Sequence, residues 1–91
     1  MSKIDRMRES LATLQPQSLE IIDDSAKHIG HGGFMADGSH YRVIIVSSQF
    51  DGKAVMARHR MVYAALGDMM KQDIHALNIE ARTPEEEKQT S

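Results

Sequence analysis

The side chains best suited to chemistry in this sequence are five histidines, His28, His31, His40, His59 and His75, in a chain with no cysteine. Neutral imidazole is a common metal ligand and titrates near neutral pH, so metal ligation and proton exchange are both open to it. The missing thiols exclude disulfides, a cysteine-based zinc site, a thiol nucleophile and a self-contained iron–sulfur cluster. His28 and His31 lie in a segment of about 26–39 that also holds Gly30, Gly32, Gly33 and Gly38, four of the six glycines in the chain. No apolar period runs through it, which predicts a long flexible loop, and loops beyond about 12 residues in small domains are usually functional or disordered. Other candidate chemistry is thin. Asp23 and Asp24 are adjacent, so a strand sends them to opposite faces. Ser47 and Ser48 have no neighbouring base to activate them. Met56, Met61, Met69 and Met70 offer soft thioethers, but their helical spacing reads as core or boundary packing. Lys53, Arg58 and Arg60 form a candidate basic patch, with a solvated helix face as the plainer reading, and Lys71 is too far along to join them. No catalytic constellation emerges. The expectation is a protein that is not an enzyme and takes no small-molecule substrate.

These residues need a frame. Ile4, Met7, Leu11 and Leu14 follow helical spacing, which predicts an amphipathic helix over about 2–14, ended by Pro16. Residues 19–22 read as a short strand closed by Asp23, Asp24 and Ser25. Residues 41–46 are β-branched and nearly all apolar, as in a central strand covered on at least one face. A turn follows over 47–52. Val55, His59, Val62, Leu66 and Met69 then repeat at helical spacing, widened by Met56, Tyr63 and Met70, so a main helix is expected over about 54–70. His59 falls on that apolar stripe and reads as a core or boundary histidine. His75, Leu77, Ile79 and Ala81 alternate with their neighbours as a third strand. Thr83, Pro84 and Glu86 compose a helix start with a capping box, and the tail over about 85–91 is expected to fray. Helix, strand, strand, helix (whole or split in two), strand and short helix give an α+β layer: one three-stranded mixed sheet with the helices on one face.

Ninety-one residues make one domain spanning 1–91. Hydrophobic residues at 41% and charged residues at 26% suit a soluble globular fold. The longest wholly apolar run, 43–46, is far too short to span a membrane, and the mixed charges of the first residues lead into no signal or transit peptide. A cytoplasmic protein without a membrane partner is the expectation. The net charge of -2 argues against a nucleic-acid binder that uses its whole surface, though not against a local patch. Phe34, Tyr41, Phe50 and Tyr63 are the only aromatics, too few for a platform that stacks single-stranded bases.

Four segments together resemble the BolA family. Ser39-His40-Tyr41-Arg42-Val43 is similar to the family's Ser/Thr-His-Phe-x-Val strand entry. Val46-Ser47-Ser48-Gln49-Phe50-Asp51-Gly52 is similar to its Val-Ser-x-x-Phe-x-Gly turn. Arg58-His59-Arg60-Met61-Val62-Tyr63 is similar to its Arg-His-Arg-x-Val-Tyr helix, and Ile74-His75-Ala76-Leu77 to its Ile/Val-His-Ala-Leu strand. Each motif alone is weak, but all four stand in order at compatible spacing, and the resemblance runs over about 11–83. It departs at the C-terminus, where many members place Trp a few residues after Thr-Pro and this chain has Glu85, Glu86 and Glu87.

The resemblance implies an α-β-β-α-α-β core related to the type II KH fold, with a short C-terminal helix added here. It also implies a partner, a monothiol glutaredoxin, and a shared [2Fe–2S] cluster that the chain would not hold alone. The glutaredoxin cysteine and a glutathione thiol supply two ligands, and the BolA protein supplies two more. One is the histidine of the Ile-His-Ala-Leu motif, here His75. The other comes from the loop between the first two strands. His31 lies ten positions before Tyr41 and matches that ligand without a gap, while His28 remains the alternative that needs a three-residue insertion. Glycines beside His31 would let the loop swing toward a partner. Two imidazoles on one iron raise its potential and make ligation sensitive to pH, which suits regulation, electron transfer or delivery. His40 is the family's strand-entry histidine and reads as structural. Family members are also linked to DNA binding as transcriptional regulators, a role that Lys53, Arg58 and Arg60 would carry here. The KH backbone clamp is missing, because Gly30 and Gly33 fall between two strands and the turn over 52–56 has a single glycine.

Overall fold

The first helix, α1 (Lys3–Leu11), is started by a capping box: Ser2 Oγ accepts the Asp5 N–H at 3.1 Å and Asp5 Oδ2 accepts the Ser2 N–H at 3.4 Å. Met7 and Leu11 are fully buried and Ile4 packs at the margin of the core, as the spacing predicts. The helix tightens into a 3-10 turn, Ala12–Leu14, and stops at Gln15, whose left-handed φ of 51° turns the chain ahead of Pro16. The structure, a computed structural model, describes residues 2–24, 40–72, 74 and 76–90. The predicted loop 26–39, with His28, His31 and the glycine pair Gly30 and Gly33, lies outside the described residues, and so does His75.

Three strands form one mixed sheet in the order β1 (Ser18–Asp23), β2 (His40–Val46), β3 (Ala76–Arg82). The β1–β2 pair is antiparallel, with Ile21 opposite Val43, and the β2–β3 pair is parallel, with Val43 opposite Ile79. Strand alternation sends Leu19, Ile21, Tyr41, Val43, Ile45, Leu77, Ile79 and Ala81 to one face, where they join Met7, Leu11, Val62 and Leu66 in a single core. The other face carries Glu20, Ile22, Arg42, Ile44, Asn78 and Glu80, none of them buried. This is the expected α+β architecture with helices on one side, and β2 is the expected central strand.

Ser47 closes the end of β2 and is fully buried. Its Oγ donates to the Leu14 carbonyl at 2.7 Å and accepts the Gln49 N–H at 3.1 Å, while its own N–H donates to the Arg82 carbonyl at 2.9 Å. One small side chain therefore ties the end of the α1 segment to the turn after β2, and the Ser47 backbone adds the end of β3.

The main helix expected over 54–70, whole or split, is split into α2 (Val55–Leu66) and α3 (Met69–Gln72). Gly67 breaks it with φ 59° and ψ -131°, a conformation open to glycine and strained for other residues. The expected apolar stripe is also only half core. Val62 and Leu66 are buried and Met61, Met69 and Met70 pack on the core, but Val55, Met56 and Tyr63 are 63%, 65% and 41% exposed. The first turn of α2 overhangs the edge strand β3, and there Arg58, not Val55, reaches the sheet.

The tail expected to fray is helical, α4 (Pro84–Thr90). Thr83 Oγ1 accepts the Glu86 N–H at 3.1 Å and Glu86 Oε1 accepts the Thr83 N–H at 3.0 Å, which is the predicted capping box. Arg82 adds ion pairs to Glu87 at 2.9 Å and Glu80 at 2.6 Å. Side-chain contacts back to the sheet thus hold a helix too short to persist alone.

Candidate functional site

β1 ends and β2 and β3 begin at the same end of the sheet. The Asp24 N–H donates to the His40 carbonyl at 2.8 Å, and His40 stands opposite Ala76 in the register. A cleft of about 390 Å³ opens at this end, lined by Asp24, His40 and Tyr41, by residues 76–79 of β3, and by His59 reaching in from α2. Its volume lies in the range of small binding pockets. Asp24 Oδ2 stands 3.8 Å from Arg42 Nε. His59 is half-buried and makes no hydrogen bond or ion pair with a described residue. It is the boundary histidine that the stripe predicts, and its imidazole is left available to the cleft.

Arg58 fixes α2 beside this cleft. Its Nε donates to the Lys53 carbonyl at 2.9 Å and its Nη1 to the Ala81 carbonyl at 3.0 Å. The two Nη groups meet the two carboxylate oxygens of Glu86 at 2.7 and 3.1 Å. Such a bidentate, charge-assisted pair is geometrically specific. The guanidinium first, and the Thr83 N–H second, hold the Glu86 carboxyl down to about 2 from an ordinary 4.5, and the hydrogen bonds to Glu86 raise the Arg58 pKa. This corrects the expected basic patch. Arg58 is only 11% exposed and its charge is met internally, whereas Lys53 and Arg60 are exposed. Nothing local in the sequence links Arg58 to Glu86, although the capping box that places Glu86 was legible. His40 bounds the cleft at the strand entry. The cleft itself, built from a strand edge and one helix face, left no motif to find.

Among the described residues no group of three or more His, Cys, Asp or Glu side chains is placed to hold a metal ion. None of their helices is long and apolar enough to cross a membrane.

Known proteins share this frame. A family model described as BolA-like protein matches residues 11–86. The solved structure of BolA1 from Arabidopsis thaliana superposes with a TM-score of 0.81 at 40% identity, covering 94% of this chain and 96% of that one. SufE-like protein 1, chloroplastic/mitochondrial, from the same plant is 44% identical over 87 residues, covering 89% of this chain and 24% of that protein. The DNA-binding transcriptional regulator BolA of Escherichia coli is 36% identical over 83 residues, covering 90% of this chain and 76% of that protein. Other curated relatives are longer, and the chain spans about half of their length. The family match runs from the last residue of α1 through the start of α4, including the Arg58–Glu86 lock and every described residue of the cleft, and on that ground the chain belongs to the BolA family.

Proposed function

We propose that this chain is an accessory protein of iron–sulfur cluster assembly or trafficking, acting in a [2Fe–2S]-bridged heterodimer with a monothiol glutaredoxin. One observation carries the reading: the described residues that flank both expected ligand segments line the same cleft. Asp24 and His40 bracket the segment holding His31 and His28, and Ala76 directly follows His75 in sequence. The donor set fits half a cluster. With no cysteine, the chain brings imidazole and no thiolate, so thiolate ligands would have to come from a partner. His31, or His28 in its place, and His75 would be the ligands, with thiolates from the glutaredoxin and glutathione completing the set. When bound, the cluster would supply a one-electron centre whose imidazole ligation yields to protonation. The role is not enzymatic.

Co-expression with a monothiol glutaredoxin tests this. A coloured heterodimer with the visible absorption of a [2Fe–2S] centre is expected, and His75→Ala should strip most of that absorbance. Unchanged absorbance in His75→Ala would remove His75 from the ligand set.

A second reading, a DNA-binding regulator, is favoured by the Escherichia coli relative's name. With Arg58 paired to Glu86, Lys53 and Arg60 are left to carry it. Duplex binding should weaken with salt, and a Lys53→Glu, Arg60→Glu double variant should flatten the log–log salt slope by about 2. Absence of binding at low salt would end this reading.

A further inference from the structure

β3 is an edge strand of the sheet. In a parallel pair, alternate residues turn their backbone groups toward the neighbouring strand and the residues between turn theirs away. The Arg82 carbonyl accepts the Ser47 N–H, so the even-numbered residues of β3 serve β2, and Leu77, Ile79 and Ala81 direct their groups outward. Arg58 takes the outward carbonyl of Ala81 at 3.0 Å. Among the described residues nothing takes those of Leu77 and Ile79, and both residues line the cleft facing His59. Free strand-edge groups are a template for another strand. Here the template is short and bounded: residues 76–79 span about 13 Å, and Arg58 stops any pairing from running further.

Charge selects what fits. α2 contains no Asp or Glu, and Glu86 meets the charge of Arg58. Lys53, His59 and Arg60 are left on its outer side with the exposed Val55, Met56 and Tyr63, so this flank is cationic and apolar in a chain of net charge -2. Asp24, the one acid lining the cleft among the described residues, lies beside Arg42.

We propose that the cleft between α2 and the free edge of β3 is a docking groove for an extended acidic segment of a partner protein, which adds as a short fourth strand beside residues 76–79. A second copy of this chain fits poorly, because pairing two β3 edges brings two cationic α2 flanks together. The groove does not depend on a cluster, so it is tested on the metal-free chain. An octapeptide library displayed on phage is panned on the immobilised protein, and the strongest peptide is synthesised plain and with alternate N-methyl groups. Enriched peptides should alternate acidic and apolar residues and should shift the Leu77 and Ile79 amide resonances. N-methylation should weaken binding at least about tenfold, as should Arg60→Glu on the exposed side of α2, where the fold is unaffected. Failure to enrich any peptide, shifts confined elsewhere, or indifference to N-methylation would each overturn the proposal. So would the same amides shifting with protein concentration alone, which would make a second copy the occupant.

Discussion

Ser47 and Glu86 each serve more than one element, and both make direct predictions. Ser47→Ala leaves the Leu14 carbonyl and the Gln49 N–H without their buried partner. The expected loss is about 1–3 kcal/mol, measured by denaturant unfolding at unchanged m-value. Glu86 is held by Arg58 and Thr83 in the folded state, so its pKa lies below its unfolded value. A depressed carboxylate contributes stability that is fully present above about pH 4.5 and is lost as pH falls toward about 2. The melting temperature of Glu86→Gln should therefore lie below that of the parent at neutral pH, and the gap should close across that interval. A gap that persists at pH 2 would show that the side chain acts through packing alone.

At the scale of elements, the break between α2 and α3 makes the clearest prediction. A Cβ at position 67 meets only the Ala64 carbonyl oxygen, at 4.0 Å, so space is not the obstacle. The backbone conformation is, and Gly67→Ala should cost about 1–3 kcal/mol in thermal or denaturant unfolding. This element also shows where sequence reading stops. The period of residues 55, 62, 66 and 69 is real and marks a helix, but Met69 keeps the period across Gly67, so the pattern reads through the break. Periodicity also cannot separate an apolar face that packs on a sheet from one that overhangs it, which is why Val55, Met56 and Tyr63 read as core. Local signals fared better: the capping box at Thr83 and the alternation of β3 stand where spacing placed them. The Arg58–Glu86 lock joins residues 28 apart through tertiary folding, and no local pattern carries such a pair. The expected ligands His31 and His75 rest on resemblance, with the structure contributing the cleft that their described neighbours line.

Across the whole molecule, the sheet divides into an antiparallel half close in sequence and a parallel half that is not. β2 and β3 are joined only after α2 and α3 have been laid down between them. Through residue 72 the chain therefore holds β1 and β2 with α1 and α2 to cover one face, but with one edge of its most apolar strand open. The strand that closes that edge and the helix that locks Arg58 both come later in the chain. Until β3 follows, the open edge of β2 depends on whatever shields an exposed apolar strand.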